Sequence, residues 1–592
     1  MAEFSKHDVF KKRIQIIWKK LSQHSFLHYY NDIDIVLDPF PMTGGQTTID
    51  AVWMGKPVIT LVGDVFHQRI SYTILKNIGI DVEDLISFAP EAYIEKAVAL
   101  ANTPDRIDEL HRSIPECLKK SILCDPERFV SQFEKTLVDA WNTKYPKNQF
   151  HIQSCERTIE YIPVQNDVEI AVIGSLDDQY MYILKEQKKW NHPEYEFVLD
   201  LMAPEMNILD ICPGLGVYAA PMAKEVGDKG SVWAISTDPA HARLLAETKQ
   251  HNLLHNLHII SHVRLGGFHL DQKMREHGWD DIDFIRMNTR GMSHGLLKSG
   301  RTFFSRLSPL VMFGIRGKTE KNLSLIDEFE TMGYQTYRLL PGLNLLVPFR
   351  LKDHEKDLDV FSLHLFCCKK DKALQLEQRG ILAQKALPPM NPPQYNDTLW
   401  QQYIGNMPFA AGILSHWLNP PALQEGWALY QQALSFYVMA QDLSHAPSTR
   451  YACIQIAHNI VWNLLSNQAN VSRVISMARI LGDMGKRALA VKVLNQLVEC
   501  FETGTENIPM NIDEPFLPLS QESAAKDPGE RVPEWLYASI LAHREKLRSF
   551  SSYYTGTDSL EVIDKIRDLG FESPEMEKRR SLIRMRFQMD YE

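Results

Sequence analysis

Short apolar runs bounded by polar turns alternate with stretches of helical periodicity through the first two thirds of the chain. Between residues 31 and 145, IDIVLD (33–38) and PVITLVG (57–63) read as buried strands, and the stretch after Ala89 reads as helix. Residues 1–30 read as a charged helix. A polar stretch from Asn142 to Gln149, with Pro146 inside it, breaks the pattern. The first domain is therefore read as 1–145 and the linker as 146–164. From 165 to 370 the runs DVEIAVIG, MNILDIC, GSVWAIST, NLHIISHV, DIDFIRMN and LVMFGIRG recur, several separated by helical segments. That rhythm predicts a doubly wound sheet. Residues 371–425 are rich in Pro and Gln, with PPMNPP at 388–393, and read as a connector. From 426 to 592 the pattern is helical.

Within that tail, SMARILGDMGKRALAVKVLNQLVE (476–499) gives two amphipathic helices broken at Gly485, which resembles one tetratricopeptide-type unit. A single unit cannot bury its own apolar face, so it must pack on neighbours. EMEKRRSLIRMRF, near the end, reads as a basic amphipathic helix, solvated or docked. The predicted fold class is α/β, with a C-terminal α-helical region.

A chain of 592 residues is too long for one core, and about three or four domains are expected. A formal net charge of -10 argues against a nucleic-acid partner, which wants clustered Lys and Arg. No window approaches the roughly 18 to 20 apolar residues of a membrane span, and the charged N-terminus lacks a signal-peptide core. A cytoplasmic location is the expectation. The eight cysteines form no CxxC pair and read as free thiols, and no metal site is predicted.

The densest information lies in IDIVLDPFPMTGGQTTIDAVWMGKPVITLVGD. A strand ends at Asp38, Pro39 and Pro41 exclude regular structure, and Gly44 and Gly45 permit a tight turn. Gln46, Thr47 and Thr48 then open a helix, whose first-turn amides are unpaired and carry partial positive charge. A diphosphate suits such a helix start, with Asp50 in reach of a ribose hydroxyl. By spacing alone the signal is weak, and a capped helix after a loop explains the run better. These residues, with HSFLHYYN before them and SILCDPERFVSQFEKTLVDAW after, resemble the C-terminal catalytic lobe of the O-GlcNAc transferase family over about 24–141. The resemblance implies a partial glycosyltransferase Rossmann-like lobe. In that family two lobes close on UDP-GlcNAc, and the matching donor-binding positions are Gln46, Thr47, Thr48 and Asp50. Gln46 stands where Thr is more usual. The lobe carrying the family's phosphate-binding lysine would precede residue 1. The chain is then either a truncated gene product or the partner of a separate glycosyltransferase lobe.

MNILDICPGLGVYAAPMAKEVGDKGSVWAISTDP has the strand, glycine turn, helix and second strand of a nucleotide-binding α/β domain. Asp210 ends the first strand, Gly214 and Gly216 let backbone approach a ligand, and Asp238 is the acid nearest the end of the second. Together with SLDDQYMYILKEQKKW and DFIRMNTRGMSHGLLKSG, the run resembles FkbM-type S-adenosylmethionine-dependent O-methyltransferases over about 165–370. The resemblance implies a methyltransferase-like domain with S-adenosyl-L-methionine as cofactor, held by Asp210, Gly214, Gly216 and Asp238. The chain departs from the family at Cys212 for a glycine, Ser236 for the ribose acid, and Asn288 and Arg290 for acidic positions. A lost charge-assisted hydrogen bond weakens binding by about 1.5–3 kcal/mol.

Methyl transfer leans on in-line positioning, with a base where the acceptor is a hydroxyl. His294 is a candidate base, or simply a part-buried helix histidine, and His262 and His269 carry no more weight than that. His251, His255 and His258 lack an evident carboxylate partner and read as solvated. Two readings stay open. One is a multidomain transferase acting on glycan or protein acceptors, with UDP-GlcNAc as a second donor. The other is a non-catalytic scaffold of degenerate transferase domains that binds a partner glycosyltransferase.

Overall fold

The computed structural model describes residues 13–16, 23–144, 159–261, 268–288, 293–317, 320–321, 323–351, 358–394, 398–418, 425–467, 469–503 and 512–589. It divides into two compact units, Met1–Glu156 and Arg157–Glu592.

The first unit is built on three parallel strands in the order β1 (Val36–Leu37), β2 (Val58–Leu61), β3 (Ile86–Ser87). Short β-branched runs suit the centre of a parallel sheet, which is covered on both faces. Helix α1 (Gln46–Trp53) connects β1 to β2. Val52, Ile59, Leu75, Leu85, Leu110 and Ile114 form a core with no exposed surface. Helix α2 (Pro126–Lys144) buries none of its residues. Phe129, Phe133, Leu137 and Trp141, spaced by four along it, are each about half exposed or more.

In the second unit a hairpin of β4 (Glu160–Pro163) and β5 (Glu169–Val172) comes first, followed by helix α3 (Gln179–Gln187). The main sheet then begins with β6 (Asn207–Ile211), helix α4 (Ala219–Val226), β7 (Ser231–Ile235), helix α5 (Pro239–His251) and β8 (Leu257–Ile260). It continues with β9 (Phe284–Met287) and β10 (Leu310–Gly314). After a two-residue-strand hairpin of β11 (Arg316–Gly317) and β12 (Glu320–Lys321) come β13 (Gln335–Leu340), β14 (Leu345–Pro348) and β15 (His364–Cys368). The eight strands lie in the order β14-β13-β15-β10-β9-β6-β7-β8. β6 to β10 are mutually parallel, while β15 inserts antiparallel between β10 and β13. This is a mixed, methyltransferase-like sheet in an α/β protein. The chain winds one way from β6 to β8 and the other way from β9 to β10. Their carboxyl ends therefore frame the switch point at which such sheets take ligands. The run DVEIAVIG, read with the main sheet from sequence, lies instead in the β4–β5 hairpin.

The helical region is continuous with this sheet. Leu340, Leu345 and Val347 from β13 and β14 share a core with Trp400, Tyr430, Ile475 and Trp535. The residues read as a connector include the helix Lys370–Gln378, the helix Leu399–Gly405 and the helix Leu414–Leu418, with Trp400, Phe409 and Trp417 buried. The boundaries read at 371 and 426 thus fall inside one packed unit. Pro and Gln dominate the composition there, but a few large aromatics supply the burial. Helices α6 (Trp427–Gln441), α7 (Pro447–Asn467), α8 (Val471–Asp483) and α9 (Arg487–Thr503) follow. Gly485, between α8 and α9, has φ +73°, which a glycine tolerates without cost. Helix α10 (Val532–Arg548) precedes the basic helix α11 (Pro574–Arg586), which docks through Met576, Ile583 and a buried Arg579.

Candidate functional site

The first turn is held by Asp38. Its buried carboxylate accepts from Gly44 N and from Thr60 Oγ1, both at 2.7 Å, tying the loop to β2. Tyr93 Oη donates to Asp38 O at 3.0 Å. Gly45 caps α1 without a side-chain hydrogen bond, so the helix start keeps first-turn amides for an outside partner. Gln46 and Thr47 are exposed, and Gln46 Nε2 donates to Asp50 Oδ1 at 3.0 Å. Thr48 departs from the expectation that its side chain meets a ligand. It is buried, its hydroxyl lies 2.8 Å from Ser71 Oγ, and Ser71 donates on to Gly44 O at 2.9 Å. Thr48 shapes the turn, leaving only its main-chain amide for a ligand. A Cβ on Gly44 would lie 2.5 Å from Thr48 Oγ1 and 2.7 Å from Thr47 Oγ1, which is why the turn needs glycine.

The second turn leaves β6 through three left-handed residues, Cys212 (φ +63°), Gly214 (φ +61°) and Gly216 (φ +86°). Gly216 lets the turn close on α5, because a Cβ there would sit 2.2 Å from Leu245 Cδ1. Over Gly214 lies Tyr180, whose Oη would be 2.6 Å from an added Cβ. The Tyr180 ring stacks on Trp190 at 4.9 Å and meets the His241 ring edge-on at 5.6 Å. Asp238 caps α5, with Oδ1 accepting from Ala240 N at 2.9 Å and His241 N at 3.3 Å, and its side chain is 50% exposed. Ser236 is buried and donates to Asp238 O at 3.0 Å. Asp238 therefore presents a carboxylate at the end of β7 despite the serine two residues earlier.

Asp210 does not join the cradle as expected. It has no exposed surface, and Arg286 Nη1, from the facing position on β9, donates to its Oδ1 at 2.6 Å. The Arg286 guanidinium also lies 4.1 Å from the centroid of Tyr218. A buried carboxylate demands such a partner, so Asp210 supports the turn from inside the core.

His294 is held at both ring nitrogens, by Glu328 Oε1 at 2.5 Å and Ser324 Oγ at 3.1 Å. His251, read as solvated, has a carboxylate partner after all: Glu169 Oε2 at 2.5 Å, with its ring stacked on Tyr161 at 3.9 Å. His258 stacks on Trp233, and His269 caps the helix Leu270–His277. Asn288 donates its amide to Ile211 O at 3.1 Å. His262 and Arg290 lie outside the described residues.

Sequence reasoning missed a further group. His192, Glu194 and His364 each place a ligand-type atom within 4.8 Å of the others. Burial, with His364 and Arg286 nearby, holds the His192 imidazole well below its usual range, so the ring is neutral. His364 opens β15 opposite Gly314, the last residue of β10, so the group sits at the carboxyl edge of the parallel strands. The two histidines are 172 residues apart, a separation local pattern cannot bridge.

Among known proteins, the glycosyl transferase family 41 pattern matches residues 16–133. A probable UDP-N-acetylglucosamine–peptide N-acetylglucosaminyltransferase SPINDLY of Solanum lycopersicum is 31% identical over 130 residues, covering 22% of this chain and 14% of that protein. A UDP-glucose:protein N-beta-glucosyltransferase of Actinobacillus pleuropneumoniae is 31% identical over 93 residues, 16% of this chain and 15% of that protein. The chain thus spans about one seventh of the length of these relatives. Among solved structures, a SAM dependent methyltransferase from Aquifex aeolicus aligns at 17% identity and TM-score 0.22, covering 33% of this chain and 93% of that one. TYW2 of M. jannaschii in complex with AdoMet aligns at 15% identity and TM-score 0.23, covering 37% and 88%. At such scores the strand order itself, not these alignments, carries the fold assignment. Among the described residues no helix is long and apolar enough to cross a membrane. The chain joins a segment related to glycosyl transferase family 41, at residues 16–133, to an α/β unit with a methyltransferase-like sheet and a helical C-terminal region.

Proposed function

We propose that the chain is a transferase whose second unit binds S-adenosyl-L-methionine and methylates a hydroxyl of a glycan or protein acceptor, in the manner of FkbM-type O-methyltransferases. The observation that carries this reading is the turn after β6. Two glycines with positive φ stand at the carboxyl end of the first parallel strand, and the half-exposed Asp238 carboxylate ends the next. Main-chain amides at 214–216 approach the donor's carboxylate end, and Asp238 takes the ribose hydroxyls. The sulfonium is reactive already, so the protein's task is in-line placement of the acceptor.

The first unit, in this reading, is the uridine-diphosphate-binding lobe of a UDP-GlcNAc glycosyltransferase. The first-turn amides of α1 and Thr47 Oγ1 meet the diphosphate, while Asp50 meets the ribose. One lobe is one wall of a cleft, and a second lobe from a partner supplies the other. The apolar stripe of Phe129, Phe133, Leu137 and Trp141 supports a partner of that kind.

Calorimetric titration of the full chain with S-adenosylhomocysteine and, separately, with UDP tests both donors. Gly214→Val should abolish binding of the first and leave the second intact. The rival reading, a non-catalytic scaffold, is favoured by Tyr180 lying over Gly214 and by Arg286 locked beneath the turn. Binding of neither nucleoside selects the scaffold.

A further inference from the structure

We propose that His192, Glu194 and His364 form a binding site for a divalent transition-metal ion of the zinc class, at the carboxyl edge of the sheet. This goes beyond the methyl-transfer reading and does not rest on it. Two imidazoles and one carboxylate are a donor set that zinc takes in catalytic sites, with a fourth position left open. Mixed nitrogen and oxygen donors also favour zinc, cobalt or nickel over magnesium and calcium.

The geometry is close to what the ion needs. Ligand atoms at zinc distances lie roughly 3.3 Å from one another in a tetrahedron. His364 Nδ1 and Glu194 Oε2 are already 3.3 Å apart. The His192 and His364 rings are 4.8 Å apart between centroids, so small side-chain rotations bring the third donor in. A plain hydrogen bond explains only the His364–Glu194 pair. It gives no reason for a second imidazole to converge on the same carboxylate.

The surroundings fit as well. Glu194 and His364 are buried at 6% and 8% exposure, so an ion there would be shielded from water on most sides. Tyr218 Oη lies 3.4 Å from His192 Nδ1, the kind of outer contact that orients a ligating ring. Glu194 and His364 also line a cavity of about 160 Å³ bounded by Phe361, Ser362 and Arg487. That space can hold the water of an open fourth position. The positive charge of Arg286 is offset by Asp210, and that of Arg487 by Asp359 and in part by Glu194, which also faces the ion.

The test uses the full chain, stripped with EDTA, loaded with zinc or cobalt(II) and dialysed. One equivalent of zinc should remain, cobalt(II) should show the intense visible bands of a low-coordinate site, and zinc X-ray absorption should show two imidazoles with oxygen donors. Glu194→Gln keeps the shape and removes the charge, and it should weaken zinc at least about tenfold. His192→Asn should do the same, with folding checked by circular dichroism. Zinc lost on dialysis overturns the site. So does equal retention in folded variants, which would place the ion on surface histidines. Should the variants fail to fold, an absorption spectrum with sulfur or with three or more imidazoles overturns it independently.

Discussion

Arg286 Nη1 donates to Asp210 Oδ1 at 2.6 Å, across adjacent parallel strands, with neither residue reaching solvent. The pair lies directly under the turn that the proposed methyl donor would occupy. Breaking it should be costly, because one charge is then stranded in the core. Arg286→Met is expected to destabilise the second unit by about 3–5 kcal/mol, whereas Arg286→Met combined with Asp210→Leu should recover most of that loss. Urea unfolding followed by the near-ultraviolet signal measures both. Equal losses in the single and double variants would show that packing, and not charge, is what the pair provides.

Gly216 is constrained twice, by φ +86° and by Leu245. Gly216→Ala should therefore cost about 1–3 kcal/mol. Adding Leu245→Ala relieves the steric part and leaves the backbone part, so the two changes should be less than additive when compared with their separate losses. Differential scanning calorimetry of the four-member cycle reads this directly.

The division of labour between neighbouring threonines gives a third prediction. Thr48→Val removes a buried hydroxyl that Ser71 uses, and should cost about 1–2 kcal/mol of local stability while UDP affinity stays within a factor of about two. Thr47→Val is exposed and should do the reverse, leaving stability unchanged and weakening UDP. Amide exchange across α1 and calorimetry with UDP separate the two.

His543, on α10, is partly buried, with both ring nitrogens shielded from solvent and with Arg479, Lys546 and Arg487 nearby. Burial first, and those charges second, push its pKa down from 6.5 to about 3. Native protein keeps the ring neutral while unfolded chain protonates it near 6.5. Between about pH 6.5 and 3 the unfolded state therefore binds more protons, and stability falls as pH falls through that window. Above pH 6.5 this group contributes no slope. His543→Leu should flatten the decline between pH 6.5 and 4 and change little at pH 7.5. Melting temperatures across that range check it, and an unchanged slope would assign the decline to other groups.

Much of the architecture was legible because strand burial is a local property. MNILDIC, GSVWAIST and DIDFIRMN each contain a main-sheet strand, and Gly485 marks the break between α8 and α9. The antiparallel half of the sheet was not legible: β13, β14 and β15 pair across distances at which apolar runs say nothing about partners. The same reason hid the histidine pair, and the connector misled because composition averages over the few aromatics that decide burial. At the sites, glycine turns could be read since only backbone freedom was at issue. Which side chains face inward could not, so Thr48 and Asp210 were placed with the ligand although Ser71 and Arg286 hold them in the interior.

The insertion of β15 between β10 and β13 bears on how the chain is made. Until residue 368 has left the ribosome, β10 and β13 each offer a bare edge, and a nascent chain stopped short of that point exposes both. The final strand acts as a zipper for the whole layer, because the two parts of the sheet on either side of it join only once it is in place.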